Sequence, residues 1–445
     1  ALPISEATPA LDFETPLESG DPRWVDFSQA RGAQTIEHVR RLFERQPSGQ
    51  WLRVVFASHR GAGKTTELKR LADNIRKRYF PVYFVSNVEM DATRFGMEEL
   101  LLVIARFIEE KMREEGSPLD PQLLHSVEEW FSEVVFSDDQ GQKYLAGVNA
   151  QGKMEAGVPF FARLMAAITS SFRVESEYRE SIRRTLKKFP GTLMTYVNNL
   201  LTAAGKTLAK DGRDLLLLID NMDRYQPKVI DDLLVQSADR FKDLACHLIL
   251  TPPIGLVLRP ESQVLSSVFC CKIMSTVRLR EKDQPYRAFS GPGRDLLLDA
   301  LRKRIDVDNL IPDEKARDRL IAASGGAIRE LLELTQDATL EVDDDRHVIA
   351  ADDVERTLNR RRQRLRDLID ANGWWDTLRA IAKNKRLGKD EEFLTVLFQR
   401  LAFQYDGDVW YDVHPLIAEL PDFMSKKRST HSAKNSQKKS RKKSV

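Results

Sequence analysis

A lysine set between a glycine and two threonines, Gly63-Lys64-Thr65-Thr66, closes a short loop that runs Ser58-His59-Arg60-Gly61-Ala62. Residues of these types at this spacing suit one task, which is to hold a chain of phosphates. The backbone N–H groups of such a loop converge on phosphate oxygens, and the positive end of the following helix adds to them. Lys64 then neutralises the β- and γ-phosphates, and the Thr65 hydroxyl reaches a magnesium ion, Mg2+, so that Ser58 to Thr66 form a nucleotide cradle. The pattern Gly-x-x-x-x-Gly-Lys-[Ser/Thr] is met except at its first position, where Ser58 stands for Gly and has less conformational freedom. The alternative is a glycine-rich turn carrying an ordinary surface lysine. Context favours the cradle, because the apolar run Trp51 to Ala57 reads as a buried strand and Leu68 and Leu71 share one face of a following helix.

A second piece of chemistry ends the run Asp214-Leu-Leu-Leu-Leu-Ile-Asp220. Consecutive apolar residues suit a central parallel strand, buried on both faces. The carboxylate of Asp220 would emerge where α/β sheets bind ligands, placed to hold magnesium through a water. Asn221 follows it, and Asp223 is the nearest further carboxylate. Asp223 either polarises an attacking water or pairs with a basic neighbour such as Arg224. Cys246-His-Leu-Ile-Leu-Thr251 reads as another short strand, ending in a hydroxyl that can orient that water. Arg329 lies in the first turn of a helix that starts after Gly325-Gly326. It either reaches across to a phosphate or is a surface arginine on an amphipathic helix.

These residues need a scaffold, and the chain supplies one in order. Residues 1–20, rich in Pro, Ser, Thr and Glu without periodicity, read as a flexible lead-in. After the segment from Asp21 a helix is expected from about Thr35 to Arg45; a segment in this position, just before the first strand, commonly lies against the adenine in nucleotide-binding ATPases. Strand, glycine loop, helix and the second strand Phe80 to Asn87 form a right-handed crossover, which implies parallel pairing. Met97 to Met112 and Leu123 to Phe136 are helical, Ser137 to Val158 is a loop or short hairpin, and helices resume from about Phe160 to Lys210. A fifth strand is expected from Cys271, after a helical segment from Arg259 to Ser267. Helices at 294–305, 316–322 and from Asp352 lead to three more, near 363–372, 374–384 and 391–402. The run Phe403 to His414 then reads as a hairpin around Asp406-Gly407, which gives the order of a winged helix. The expected fold is therefore α/β: a P-loop NTPase core with a parallel sheet at 21–285 and a large helical insert at about 97–210, followed by an α-helical lid at 286–358 and a winged-helix domain at 359–424. A low-complexity basic tail occupies 425–445.

Composition agrees with a soluble globular protein, hydrophobic at 42% and charged at 31% of 445 residues. No run approaches the roughly 20 apolar residues a membrane helix needs, and the first residues lack a signal peptide's pattern. No membrane association is expected. Cys246, Cys270 and Cys271 lie in apolar stretches and read as buried thiols of a cytoplasmic protein. Nine of the positive charges lie in 425–445 with no acid among them, so the overall +2 leaves the preceding 424 residues at −7.

With the motifs Ser58 to Leu68, Leu216 to Arg224, Leu248 to Pro253 and Gly325 to Leu332 in this order, the chain resembles the AAA+ and STAND branch of phosphate-loop ATPases, above all bacterial members of origin-recognition-like architecture. The resemblance covers about residues 21–420. It implies ATP and magnesium as cofactors, Thr251 and Arg329 as the two sensors, and assembly into a homo-oligomer in which a neighbour supplies an arginine, here Arg259. Asn221 stands where many such ATPases place a catalytic Glu, which suits a slow hydrolysing switch better than a motor. Relatives of this type often control a separate effector protein in defence against phage. Two other readings compete with that switch. One is a DNA-binding or DNA-loading ATPase using the winged helix, the Arg360–Arg366 cluster and the basic tail. The other is a nucleotide-binding scaffold without turnover.

Overall fold

A computed structural model describes residues 4–424 except 33, 92–93, 138, 152–158, 174–176, 260–261, 344, 389 and 407. The basic tail and the Gly407 turn position lie outside the described residues.

Five parallel strands form the centre: β1 (Arg53–Ser58), β2 (Tyr79–Val85), β3 (Asp214–Asp220), β4 (His247–Leu250) and β5 (Cys270–Met274). Their order is β2-β3-β4-β1-β5, so β4 sits between the strand that ends in the phosphate loop and the strand that ends in Asp220. The two-residue period of β3 explains its unbroken leucines. Leu216 and Leu218 pack with Val39, Phe43, Leu68 and Leu71 on one face of the sheet. Leu215, Leu217 and Ile219 pack on the other with Leu100, Ile104, Val197 and Leu201. β2 lies at an edge with a single neighbour, which is where Pro81, lacking an N–H, is tolerated.

The face occupied by Leu215 and Leu217 is covered by the insert. The Met97–Glu114 and Pro190–Ala209 helices cross it, and the Pro121–Trp130, Phe160–Arg173 and Glu177–Lys188 helices surround them. Residues 139–151 are helical, where a loop or hairpin is expected from the sequence. Gly141 and Gly147 and a sparse apolar stripe hide that helix, which is anchored by Tyr144 stacked on Phe136 at 5.2 Å. Among the described residues no helix is long and apolar enough to cross a membrane.

The Gly293–Arg302, Glu314–Ala323 and Ile328–Thr339 helices and the single Ala351–Asn372 helix share a second core. The 358/359 boundary drawn from the sequence falls inside this last helix. It is capped by Asp353 Oδ2 accepting from Ala350 N at 2.8 Å and ends at Gly373, φ 75°. The Trp375–Asn384 and Glu391–Phe398 helices and a hairpin of β6 (Ala402–Tyr405) and β7 (Trp410–Val413) complete the chain in the expected order. The Arg360–Arg366 cluster is largely engaged within the chain. Arg361 bonds buried Glu330 at 2.6 Å, Arg366 meets Asp422 at 2.9 Å, Arg362 pairs with Glu355 and Glu419, and Arg360 pairs with Glu341.

The lead-in departs from expectation. Ile4–Ala10 is helical, and Ala7 and Leu11 are buried in the second core against the Ile328–Thr339 helix. A seven-residue helix with Pro9 inside it gives too weak a period to be read alone; the partner surface over 300 residues away supplies the stability.

Candidate nucleotide-binding site

The phosphate loop follows β1 as expected, and Lys64 begins the Lys64–Ile75 helix. Gly61 and Gly63 adopt φ values of 81° and 88°, the left-handed region that favours glycine. Ser58 is buried, and its Oγ donates to His59 O at 3.0 Å, so the residue that departs from the pattern is tied into the turn.

A cavity of about 310 Å³ opens at this loop. Gly61, Gly63, Lys64, Thr65 and Thr66 line it, with Asp223 and Arg329 also in its wall. Basic side chains outnumber acidic ones, with Arg23, Arg31, Arg60, Lys64, Lys69, Arg224, Arg304 and Arg329 against Asp12, Glu14, Glu67 and Asp223. That excess suits a polyphosphate. Phe13, Trp24, Val25, Phe27, Ile328 and Leu332 supply apolar wall sufficient for a base.

Lys64 Nζ donates to Asp223 Oδ2 at 2.6 Å, and each residue is only 5% exposed. The reading in which Asp223 pairs with Arg224 is thereby corrected: its partner is the loop lysine. Asp220 is fully buried at the end of β3. Its Oδ1 accepts from Thr251 Oγ1 at 2.8 Å and from Asn221 N at 2.7 Å, while Oδ2 accepts from Tyr83 Oη at 3.0 Å. Burial and the charge of Asp220 push the Tyr83 phenol well above its ordinary value, so it stays a donor. Tyr83 lines the cavity, whereas Asp220, bonded to it, is fully buried and does not line the wall. Thr251, which the sequence analysis gives to the attacking water, is fully buried and spends its hydroxyl on Asp220.

Arg329 is where expected, at the start of its helix and in the cavity wall. Its backbone N donates to Gly61 O at 3.1 Å, and its Nη1 donates to Glu14 Oε1 at 3.0 Å. Arg259 is elsewhere. It bonds Asp231 at 2.9 Å and Glu391 at 3.4 Å, bridging the core to the Glu391–Phe398 helix. That geometry leaves its guanidinium engaged within its own chain.

Two contributors, Arg31 and Leu17, escape the sequence analysis, and a third, His59, is expected in the cradle but not with the partner it has. Arg31, buried in the cavity wall, donates Nη2 to Ala62 O at 2.5 Å and braces the loop. Leu17 N donates to Thr66 Oγ1 at 3.2 Å, bringing the N-terminal segment onto the loop helix. His59 Nε2 accepts from Gln404 N at 2.8 Å, joining the loop to the β6–β7 hairpin. Burial, and then the charge of Lys64, push the His59 ring down to about 3, so it is the neutral ring that accepts. No local signal marks Arg31 or Leu17, and none marks the partner of His59, since each acts through a residue distant in the chain.

A parallel sheet whose first strand opens through a glycine loop onto a lysine-led helix defines a P-loop α/β core. No family model matches the chain, and no curated protein sequence matches it. Among solved structures it is similar to the Walker-type ATPase of Pyrococcus abyssi, at 14% identity and a TM-score of 0.44, over 94% of this chain and 100% of that one. It is also similar to Cdc6p of Pyrobaculum aerophilum, at 12% identity and a TM-score of 0.40, over 94% of this chain and 96% of that one.

Proposed function

We propose that the chain binds ATP with magnesium at the phosphate loop and hydrolyses it slowly, as a switch acting on a separate partner. The observation that carries this reading is the cavity in which the positive-φ glycine loop, Lys64 and Arg329 converge. Residues 61–66 would hold the phosphates through backbone N–H groups, and Lys64 would neutralise them. Magnesium, when bound, would draw charge from the phosphate oxygens; Thr65 in the cavity wall would hold it, and Asp220, oriented by Thr251, would hold it through a water. Arrival of phosphate gives Lys64 a new anion, which frees the Asp223 carboxylate beside it. Asp223, once released from Lys64, is placed to accept a proton from water.

A second reading, a scaffold without turnover, is favoured by the engagement of both carboxylates, Asp220 with three donors and Asp223 with Lys64. ATP turnover and molar mass, measured with and without ATP for the wild type, Lys64→Ala and Asp223→Ala, separate the two. Turnover by the wild type that both variants lack, with a change of mass on ATP, is the expected result. Tight ATP binding by the wild type with no phosphate release and no assembly would leave the scaffold.

A further inference from the structure

Residues 12–19 form a strap anchored at both ends and lightly held in the middle. Upstream, Thr8 Oγ1 lies 2.9 Å from Thr339 Oγ1, and Gln336 Nε2 donates to Thr8 O at 2.8 Å. Downstream, Glu18 pairs with Lys69, and Ser19 Oγ donates to Asp73 Oδ2 at 2.9 Å, both on the loop helix. Between these anchors, Asp12 to Leu17 form part of the cavity wall. Their links to the site are the Glu14–Arg329 pair, the Phe13 ring 5.8 Å from that guanidinium, and the Leu17 N bond to Thr66.

We propose that Glu14 stands in for the terminal phosphate of a nucleoside triphosphate: its carboxylate holds Arg329, and the γ-phosphate competes for the same guanidinium and displaces it, loosening residues 12–19. This inference rests on the nucleotide reading above. The charges argue for it. The two cations assigned to phosphate above are each held by a carboxylate, Lys64 by Asp223 and Arg329 by Glu14. The two pairs differ in strength. Lys64–Asp223 is closed to water, whereas the Glu14 side chain is 62% exposed. An exposed pair contributes little, while a phosphate offers the same guanidinium more negative charge and several oxygens. A diphosphate that reaches only as far as Lys64 leaves Glu14 in place. The strap therefore distinguishes triphosphate from diphosphate, and it carries that distinction to the N-terminal helix.

The test uses the full chain with magnesium and either ADP or a non-hydrolysable ATP analogue. Amide hydrogen exchange is followed in residues 12–19, and both affinities are measured for the wild type and Glu14→Gln. Expected is faster exchange in 12–19 with the ATP analogue than with ADP, by about threefold or more, as a surface ion pair worth under about 1 kcal/mol is lost. The ratio of triphosphate to diphosphate affinity should rise about two- to fivefold in Glu14→Gln, matching the loss of that competitor. Nucleotides that bind but leave exchange and ratio unchanged overturn the role of Glu14 alone. If neither nucleotide binds the wild type, the nucleotide reading falls and this inference with it. Glu14 is exposed, so its replacement leaves the core intact.

Discussion

With Lys64 and Asp223 joined at 2.6 Å and each side chain only 6% exposed, removing one leaves the other's charge nearly buried without its partner. Lys64→Ala and Asp223→Ala are each expected to lower the unfolding free energy by about 3 kcal/mol, and the double variant to lose clearly less than the sum. Chemical denaturation of the three variants checks this, and strictly additive losses would show that the pair contributes nothing. Lost turnover in either single variant must therefore be read beside its stability. Lys64 and Asp220 were legible in the sequence because a short contiguous pattern surrounds each. The partner of Asp223 was not, since 159 residues separate it from Lys64 and only the sheet brings them together. Thr251 was legible as a polar strand end; the direction of its hydroxyl, toward Asp220, depends on β4 lying beside β3.

Among the elements, the turn at Gly325-Gly326 sets how the Ile328–Thr339 helix meets the core. Gly326 has a φ of 87°, and a Cβ built there would lie 1.8 Å from Val277 O. Neither the backbone angle nor the neighbouring carbonyl can accommodate a side chain. Gly326→Ala is expected to cost about 2 kcal/mol or more and to lower the thermal midpoint by several degrees. An unchanged midpoint would mean that this turn is free to rearrange. The strands and most of the helices were readable from period and composition. The N-terminal helix and the 139–151 helix were not, because each is stabilised by what it packs against and carries few apolar residues of its own.

At the scale of the molecule, His59 ties the phosphate loop to the β6–β7 hairpin, and Thr276 N adds a second bond, to Gln404 O at 3.1 Å. The unfolded chain protonates this ring near its ordinary value of 6.5, while the folded chain resists until about 3. The contribution is therefore full above 6.5 and falls as pH drops toward about 3. Its slope is up to about 1.4 kcal/mol per pH unit. Denaturation of the wild type and His59→Gln at several pH values between about 6.5 and about 4.5 checks it, and the variant should lose stability less steeply as the medium is acidified. Identical slopes would detach His59 from the pH response. His247, pushed down to about 4 by burial and then by Arg78, adds a similar slope to both proteins and cancels in the comparison.

The bond from Arg329 N to Gly61 O joins main chain to main chain, so no side chain at 329 other than proline removes it. The helix stays seated on the loop whatever residue stands there, and a charge can be deleted or reversed without shifting the scaffold around it. Position 329 is thus open to functional divergence at low structural risk. Position 61 is closed to it, for any Cβ there would lie 2.5 Å from that of Arg329.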